Sequence, residues 1–95
     1  MIEDFRCKET EKIFRREHSR KLPADIQRVA LRKLRMLNRS STIEDLRVPP
    51  GNRLEALSGN RKGEHSIRIN DQWRICFVWR NGGAHAVEIV DYHRG

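Results

Sequence analysis

The sequence contains little that would crosslink the chain or anchor it in a membrane. It has 95 residues and only two cysteines, Cys7 and Cys76, which are far apart and lack the spacing of a zinc site. No stretch approaches the roughly 20 apolar residues of a transmembrane helix. The N-terminus has no apolar core of signal-peptide length. We therefore expect a cytoplasmic protein with free thiols, no membrane association and no metal site.

The chain is too short to enclose a large internal site. Its length fits one domain over residues 1–95, and a domain of this size hides only about 60–65% of its unfolded surface, so no cofactor is expected. Lys and Arg number 20 against 13 Asp and Glu, which gives a net charge of +7 and a pI of about 10.3. Such a charge is typical of nucleic-acid binding, although it also occurs on small basic proteins that are merely soluble.

Helical periodicity is confined to the first half of the chain. Residues 8–16 indicate a short helix, and a second, amphipathic helix is predicted after Pro23, which suits a first helical turn. The apolar positions of this second helix are Ile26, Val29, Ala30, Leu34 and Leu37. Lys33 and the neighbouring arginines are expected around its other sides. Residues 42–51 look irregular, and Pro49-Pro50-Gly51 argues against any helix there.

The second half of the chain alternates apolar and polar residues with a period of two. Strands are predicted near residues 53–57, 65–70, 73–80 and 86–90, with turns at Asn70-Asp71 and Asn81-Gly82-Gly83. Because the helices precede the strands, the pattern predicts an α+β fold. Two N-terminal helices would pack on one face of a mainly antiparallel sheet.

One predicted strand carries an arginine among large apolar neighbours. Arg74 projects away from Trp73 and Ile75, because side chains alternate across a sheet. A hairpin at Asn70-Asp71 would bring Arg68 to the same side and create a basic sheet face. Arginine suits phosphate, since its planar guanidinium donates two parallel hydrogen bonds. The alternative is an exposed face with solubilising arginines.

Further candidates lie in a basic loop and at the chain end. Arg61 and Lys62 lie between two glycines in residues 59–63, and Arg80 follows along the Arg74 strand; all three are candidates for RNA contact. Asp91-Tyr92-His93 combines a carboxylate, a phenol that can stack on a base, and an imidazole that exchanges a proton near neutral pH. On the residues alone, the triplet is more typical of solvated surface and residues 59–63 of a basic connecting loop.

Several of these segments together resemble the HigB-type toxins of the RelE/ParE superfamily, from bacterial type II toxin–antitoxin modules, and the GraT-like branch in particular. The resemblance covers almost the whole chain. Its specific part is the Trp73-Arg74 strand followed at this spacing by Asp91-Tyr92-His93. Residues 49–57, 59–63 and 66–68 agree with it.

The resemblance implies a RelE-like fold and a ribosome-dependent endoribonuclease that cleaves mRNA in the A site. It also implies a helix-turn-helix antitoxin of the HigA type, through which alone the toxin would meet operator DNA. Arg74 matches the arginine that contacts the scissile phosphate, and Asp91, Tyr92 and His93 match the active-site triplet. In one departure, Glu55 and Ser58 occupy positions where some members carry a histidine and a lysine.

Two other functions fit the same sequence. A non-catalytic module would bind nucleic acid through the basic sheet face, and a ParE-like gyrase inhibitor would act by protein–protein contact. The terminal triplet favours the nuclease, because the gyrase inhibitors of the superfamily do not need it. The fold alone would not decide among the three.

Overall fold

The computed structural model describes residues 1–92 of the chain. Two helices precede four strands: α1 (Lys8–Phe14), α2 (Ala24–Arg39), β1 (Glu55–Ala56), β2 (His65–Arg68), β3 (Trp73–Arg80) and β4 (Gly83–Asp91). Short 3-10 turns lie at Ile43–Arg47, Pro50–Asn52 and Gly59–Arg61. Within the described residues, no helix is both long and apolar enough to cross a membrane.

The strands form one antiparallel sheet in the order β1-β2-β3-β4. The side-chain oxygen of Asn70 accepts the backbone N–H groups of Gln72 and Trp73 at 2.9 and 2.8 Å, which closes the β2–β3 turn. Asn81 and Gly82 take positive φ values of 53° and 75° in the β3–β4 turn. The two turns predicted from the sequence therefore connect β2 to β3 and β3 to β4.

Both helices pack on one face of this sheet and enclose the core between the layers. The core includes Ile13, Ile26, Ala30, Leu34, Leu37, Ile67, Ile75, Phe77, Val87 and Ile89. On β3, Ile75 and Phe77 point to this face because they are two residues apart. The predicted α+β architecture, with two N-terminal helices on one sheet face, is confirmed.

Several local predictions differ from the structure. The first helix ends at Phe14, and Arg16 adopts a left-handed φ of 65° instead of extending it. Residues Pro50–Asn52 form one 3-10 turn, since proline is tolerated in a first helical turn where its missing N–H is not needed. Lys33 is expected around the sides of α2 away from its apolar stripe, but it is buried, with only 6% of its surface exposed.

A local carboxylate fixes the start of the turn after α2. Asp45 accepts the backbone N–H groups of Ser41 and Thr42 at 2.9 and 3.1 Å. These two bonds, that of Thr42 first, hold the pKa of the Asp45 carboxyl below its ordinary value. The turn therefore begins with an acid-sensitive cap.

Candidate active site

Arg74 lies on the sheet face opposite the helices, where several elements hold its guanidinium in place. Its Nη2 donates to Glu55 Oε1 at 3.3 Å, and its Nη1 donates to Ser66 Oγ at 3.2 Å. The carbonyl oxygen of Arg53 accepts a longer bond from Nη1 at 3.5 Å. The ring centroid of Tyr92 lies 5.1 Å from Cζ. Only 13% of the Arg74 side chain is exposed, so the group is preorganised rather than mobile.

The charge of Arg74 is only weakly neutralised by its carboxylate partner. The 3.3 Å contact with Glu55 is long for an ion pair, and the Glu55 side chain is 49% exposed. Water screens such a partner, so the guanidinium remains able to attract a phosphate group. The stacked Tyr92 ring adds a cation–π contact without consuming N–H donors.

Arg68 lies beside Arg74 on the neighbouring strand. The two residues are direct partners in the β2–β3 register, so their side chains project to the same sheet face. Arg68 pairs with the exposed carboxylate of Asp71, and this hydrogen bond lowers the pKa of Asp71. The predicted juxtaposition of two arginines on one face is thereby confirmed.

The terminal triplet is divided between the two sides of the sheet. Tyr92 contacts Arg74, but Asp91 is the register partner of Trp73, and strand alternation therefore directs it to the opposite side. The Asp91 carboxylate accepts a bond from Gln72 Nε2 at 3.2 Å. His93, the third predicted member, lies outside the described residues. The structure thus brings Tyr92, but not the Asp91 carboxylate, to the arginine.

Arg61, predicted to bind RNA, is engaged within the protein. Its Nη1 lies 3.0 Å from carboxylate oxygens of both Glu64 and Glu88, and Arg6 also contacts Glu88 at 3.2 Å. Burial opposes the charge of Arg61, but its bonds with Glu88 and Glu64 outweigh that effect and raise its pKa. The geometry gives Arg61 a role in holding the 3-10 turn against β4.

Lys62 and Arg80 are exposed, as expected for RNA-contacting residues, and Arg80 lies at a distance from Arg74. Lys62 directly follows the 3-10 turn Gly59–Arg61. Arg80 ends β3 six residues beyond Arg74, which corresponds to roughly 20 Å of strand. Their roles in RNA binding stay predictions.

Two small buried side chains, Ser66 and Cys76, lie on the same sheet face as Arg74. Nothing in the sequence marks Ser66 as a site residue except that its predicted strand position places it on the same sheet face as Arg68. In the structure Ser66 is fully buried and bonded to Arg74. Cys76, its register partner on β3, is also fully buried. Burial raises the pKa of the Cys76 thiol to about 11, so it is a neutral packing group at physiological pH and not a nucleophile.

The site contains no evident metal centre in the part of the chain that the structure describes. Residues 1–92 bring no three His, Cys, Asp or Glu side chains close enough to hold an ion.

Comparison with known proteins assigns the chain to a family. Residues 3–93 match the model of the HigB-like toxins, described as RelE-like toxins of the type II toxin–antitoxin system HigB. Toxin HigB-1 of Vibrio cholerae is 41% identical over 85 residues, covering 88% of this chain and 90% of that protein. A protein of Proteus vulgaris named Endoribonuclease HigB is 32% identical over 94 residues, covering 98% and 100% of the two chains.

Solved structures show the same fold at low sequence identity. YafQ from E. coli superposes with a TM-score of 0.58 at 12% identity, and a point mutant of YafQ gives 0.62 at 11%. Each comparison covers 96% of this chain and 93% of the other. With the family match over nearly the whole sequence, these findings place the chain in the HigB-like family, the RelE-like toxins of type II toxin–antitoxin systems.

Proposed function

We propose that this protein is a ribosome-dependent endoribonuclease that cleaves mRNA in the ribosomal A site and so inhibits translation. The observation that carries the proposal is the Arg74 guanidinium, held by Glu55 and Ser66 and stacked on Tyr92 on the face away from the helices. The relative named Endoribonuclease HigB, which aligns with 98% of this chain, supports the same activity.

The proposed reaction is attack of an RNA 2′-hydroxyl on the adjacent phosphate. The 2′ oxygen loses its proton and bonds to phosphorus, the bond from phosphorus to the 5′ oxygen breaks, and that oxygen takes up a proton. The products are a 2′,3′-cyclic phosphate and a 5′-hydroxyl. Arg74 stabilises the charge that develops on the phosphate, assisted by Arg68, and one such preorganised donor contributes about 3–4 kcal/mol.

Proton transfer is assigned with the help of the family resemblance. His93 is proposed as the main proton-transfer group, and Tyr92 as the residue that stacks on or orients a base. Asp91 is proposed to hold the end of β4 in place through its hydrogen bond with Gln72, and not to contact the phosphate. Among residues 1–92, Glu55 is the carboxylate bonded to Arg74.

The groups found beside Arg74 in residues 1–92 support the proposed dependence on the ribosome. Charge stabilisation by arginine is strong in the site, whereas the nearby carboxylate of Glu55 is engaged with Arg74 itself. Alignment of the 2′ oxygen with the scissile bond is then best supplied by an external scaffold. Correct positioning is worth about 7–11 kcal/mol in favourable cases.

The proposed partners follow from charge and family. A HigA-type helix-turn-helix antitoxin would neutralise the toxin and be its only link to operator DNA. The net charge of +7, with exposed Arg28, Arg32 and Arg39 along α2, suits an acidic antitoxin surface as well as ribosomal RNA. The site of action would be the cytoplasm, where translation occurs.

A cleavage assay tests the proposal directly. New mRNA 5′ ends are mapped in a reconstituted translation reaction, with and without ribosomes, for wild type and Arg74→Ala. Cuts that require both ribosomes and Arg74 are expected. No new ends would reject the nuclease and favour one of the other two functions. Salt-sensitive RNA binding would then point to a binding module, and inhibition of gyrase supercoiling to a ParE-like toxin.

A further inference from the structure

A buried lysine connects α2 to the segment that leads into β1. Lys33, which is 6% exposed, donates from Nζ to the side-chain oxygen of Asn52, which is fully buried. The Asn52 amide nitrogen donates in turn to the carbonyl oxygen of Leu46 at 3.0 Å. It also lies 3.4 Å from the carbonyl oxygen of Val48. Lys33 and Asn52 thus fix residues 46–52 against the helix.

The same segment reaches Arg74 within three residues. Arg53 follows Asn52 in a left-handed conformation with φ of 47°, and its carbonyl oxygen accepts a bond from Arg74. Glu55, two residues later, accepts the bond to Arg74 Nη2. One end of this short segment is therefore held by the buried lysine, and the other end holds the guanidinium.

A buried lysine at this position on α2 costs folding free energy, because its ammonium group is removed from water. Burial lowers the pKa of the Lys33 ammonium, and the charges of Arg32 and Arg68 lower it further. Lys33 falls in the same helical stripe as Ile26, Ala30 and Leu37, where an apolar residue would be buried without that cost. Lys33 donates a hydrogen bond to Asn52, and methionine or leucine at this position could not make that bond.

We propose that Lys33 is a positioning residue for the active site, which acts through Asn52 and the segment 52–55 to hold Arg74 in the geometry that binds phosphate. The inference deepens the proposed nuclease function and rests on it. Lys33 touches no reacting group in this account. Its effect on catalysis must therefore pass through Arg74, and this requirement separates positioning from a general contribution to stability.

A double-mutant cycle tests this requirement. Single-turnover cleavage on programmed ribosomes is measured for wild type, Lys33→Met, Arg74→Ala and the double variant, at a temperature where circular dichroism shows all four folded. Lys33→Met is expected to slow cleavage roughly tenfold to hundredfold, as a misplaced catalytic group does, with ribosome affinity unchanged. In the Arg74→Ala background it should have little further effect. Lys33→Gln, whose amide can still donate to Asn52, should recover part of the rate.

A matched control removes a lysine that lies elsewhere on the helical layer. Lys12→Met makes the same chemical change on α1, where the side chain is 48% exposed and 3.6 Å from Glu9, and should leave the rate unchanged. Equal slowing by Lys33→Met with and without Arg74, or no slowing at all, would overturn the inference.

A second measurement keeps the inference testable if the protein does not cut RNA. Nitrogen-15 NMR of the arginine side chains reports rotation of the Arg74 guanidinium. Lys33→Met should speed that rotation, whereas Lys12→Met should not. Unchanged rotation in Lys33→Met would reject the positioning role, whereas absent cleavage with changed rotation would reject only the nuclease.

Discussion

Removal of the Arg74 guanidinium is the change whose effect on the cleavage rate can be estimated most directly from the structure. The group is held before substrate arrives by bonds to Glu55 and Ser66 and is 13% exposed, so binding a phosphate costs it little side-chain freedom. Loss of one preorganised donor of this kind costs about 2.7–4 kcal/mol of transition-state stabilisation. Arg74→Ala should therefore cut programmed mRNA 10²–10³-fold more slowly than wild type.

The expected loss of folding stability is of similar size to the expected loss of transition-state stabilisation, so unfolding must be measured beside the rate. The ion pair with half-exposed Glu55 is worth at most about 1 kcal/mol, and each lost hydrogen bond about 0.5–1.5 kcal/mol. Arg74→Lys keeps the charge but lacks the planar fork, and should fall between wild type and Arg74→Ala. Arg15→Ala, a change at an exposed arginine directly after α1, serves as the matched control.

The assay is single-turnover cleavage of a defined mRNA on ribosomes, with thermal unfolding of each variant measured in parallel. The predicted order of rates is wild type and Arg15→Ala, then Arg74→Lys, then Arg74→Ala. Folded Arg74→Ala that cuts as fast as wild type would refute the reasoning, because the phosphate charge would then be stabilised elsewhere.

Three further predictions follow from the contacts of individual side chains. Glu55→Gln should slow cleavage less than about tenfold in the same assay, since the amide oxygen still accepts from Arg74; a 10²–10⁴-fold loss would instead identify a general base. In native protein at pH 8, Ellman's reagent should modify half-buried Cys7 before Cys76, whose burial raises its pKa to about 11; equal rates would contradict this. Asp45→Asn should lower the melting temperature at pH 7. That difference should vanish as pH falls through the lowered pKa of Asp45, and a pH-independent difference would exclude the proposed cap.

The sequence was most informative where a simple period decides the structure. Alternation in β2 and β3, with a turn at Asn70-Asp71, was sufficient to predict that Arg68 and Arg74 share a sheet face. The apolar stripe of α2 was sufficient to predict how that helix packs on the sheet. Local patterns of this kind require no knowledge of distant contacts.

The predictions that differed depend on contacts between distant parts of the chain. Lys33 occupies a core position of the α2 stripe, and only the buried amide of Asn52, 19 residues away, explains why a lysine is tolerated there. Ser66 acquires its role only because β1, β2 and β3 meet around Arg74. Arg61, chosen for its charge, is paired with Glu88 from the far end of the sheet.

Strand alternation, which correctly predicts that Arg68 and Arg74 share a sheet face, also explains why Asp91 and Tyr92 lie on opposite faces. Consecutive strand residues point to opposite faces, so Asp91 and Tyr92 cannot both face Arg74 while β4 remains regular. The alternation was visible in the sequence, but whether the strand continued to residue 91 was not. The structure supplies that fact, since β4 extends through Asp91.

The central claim is that Arg74 promotes attack of a 2′-hydroxyl on mRNA held by the ribosome. The most direct measurement is to incubate the protein with ribosomes that carry a defined mRNA and an empty A site, beside the same mRNA alone, and to identify the chemistry of the ends. We expect 2′,3′-cyclic phosphate and 5′-hydroxyl ends within the A-site codon, on ribosomes only, and their loss in Arg74→Ala. Intact mRNA on the ribosome, or equal cutting of free mRNA, would contradict it.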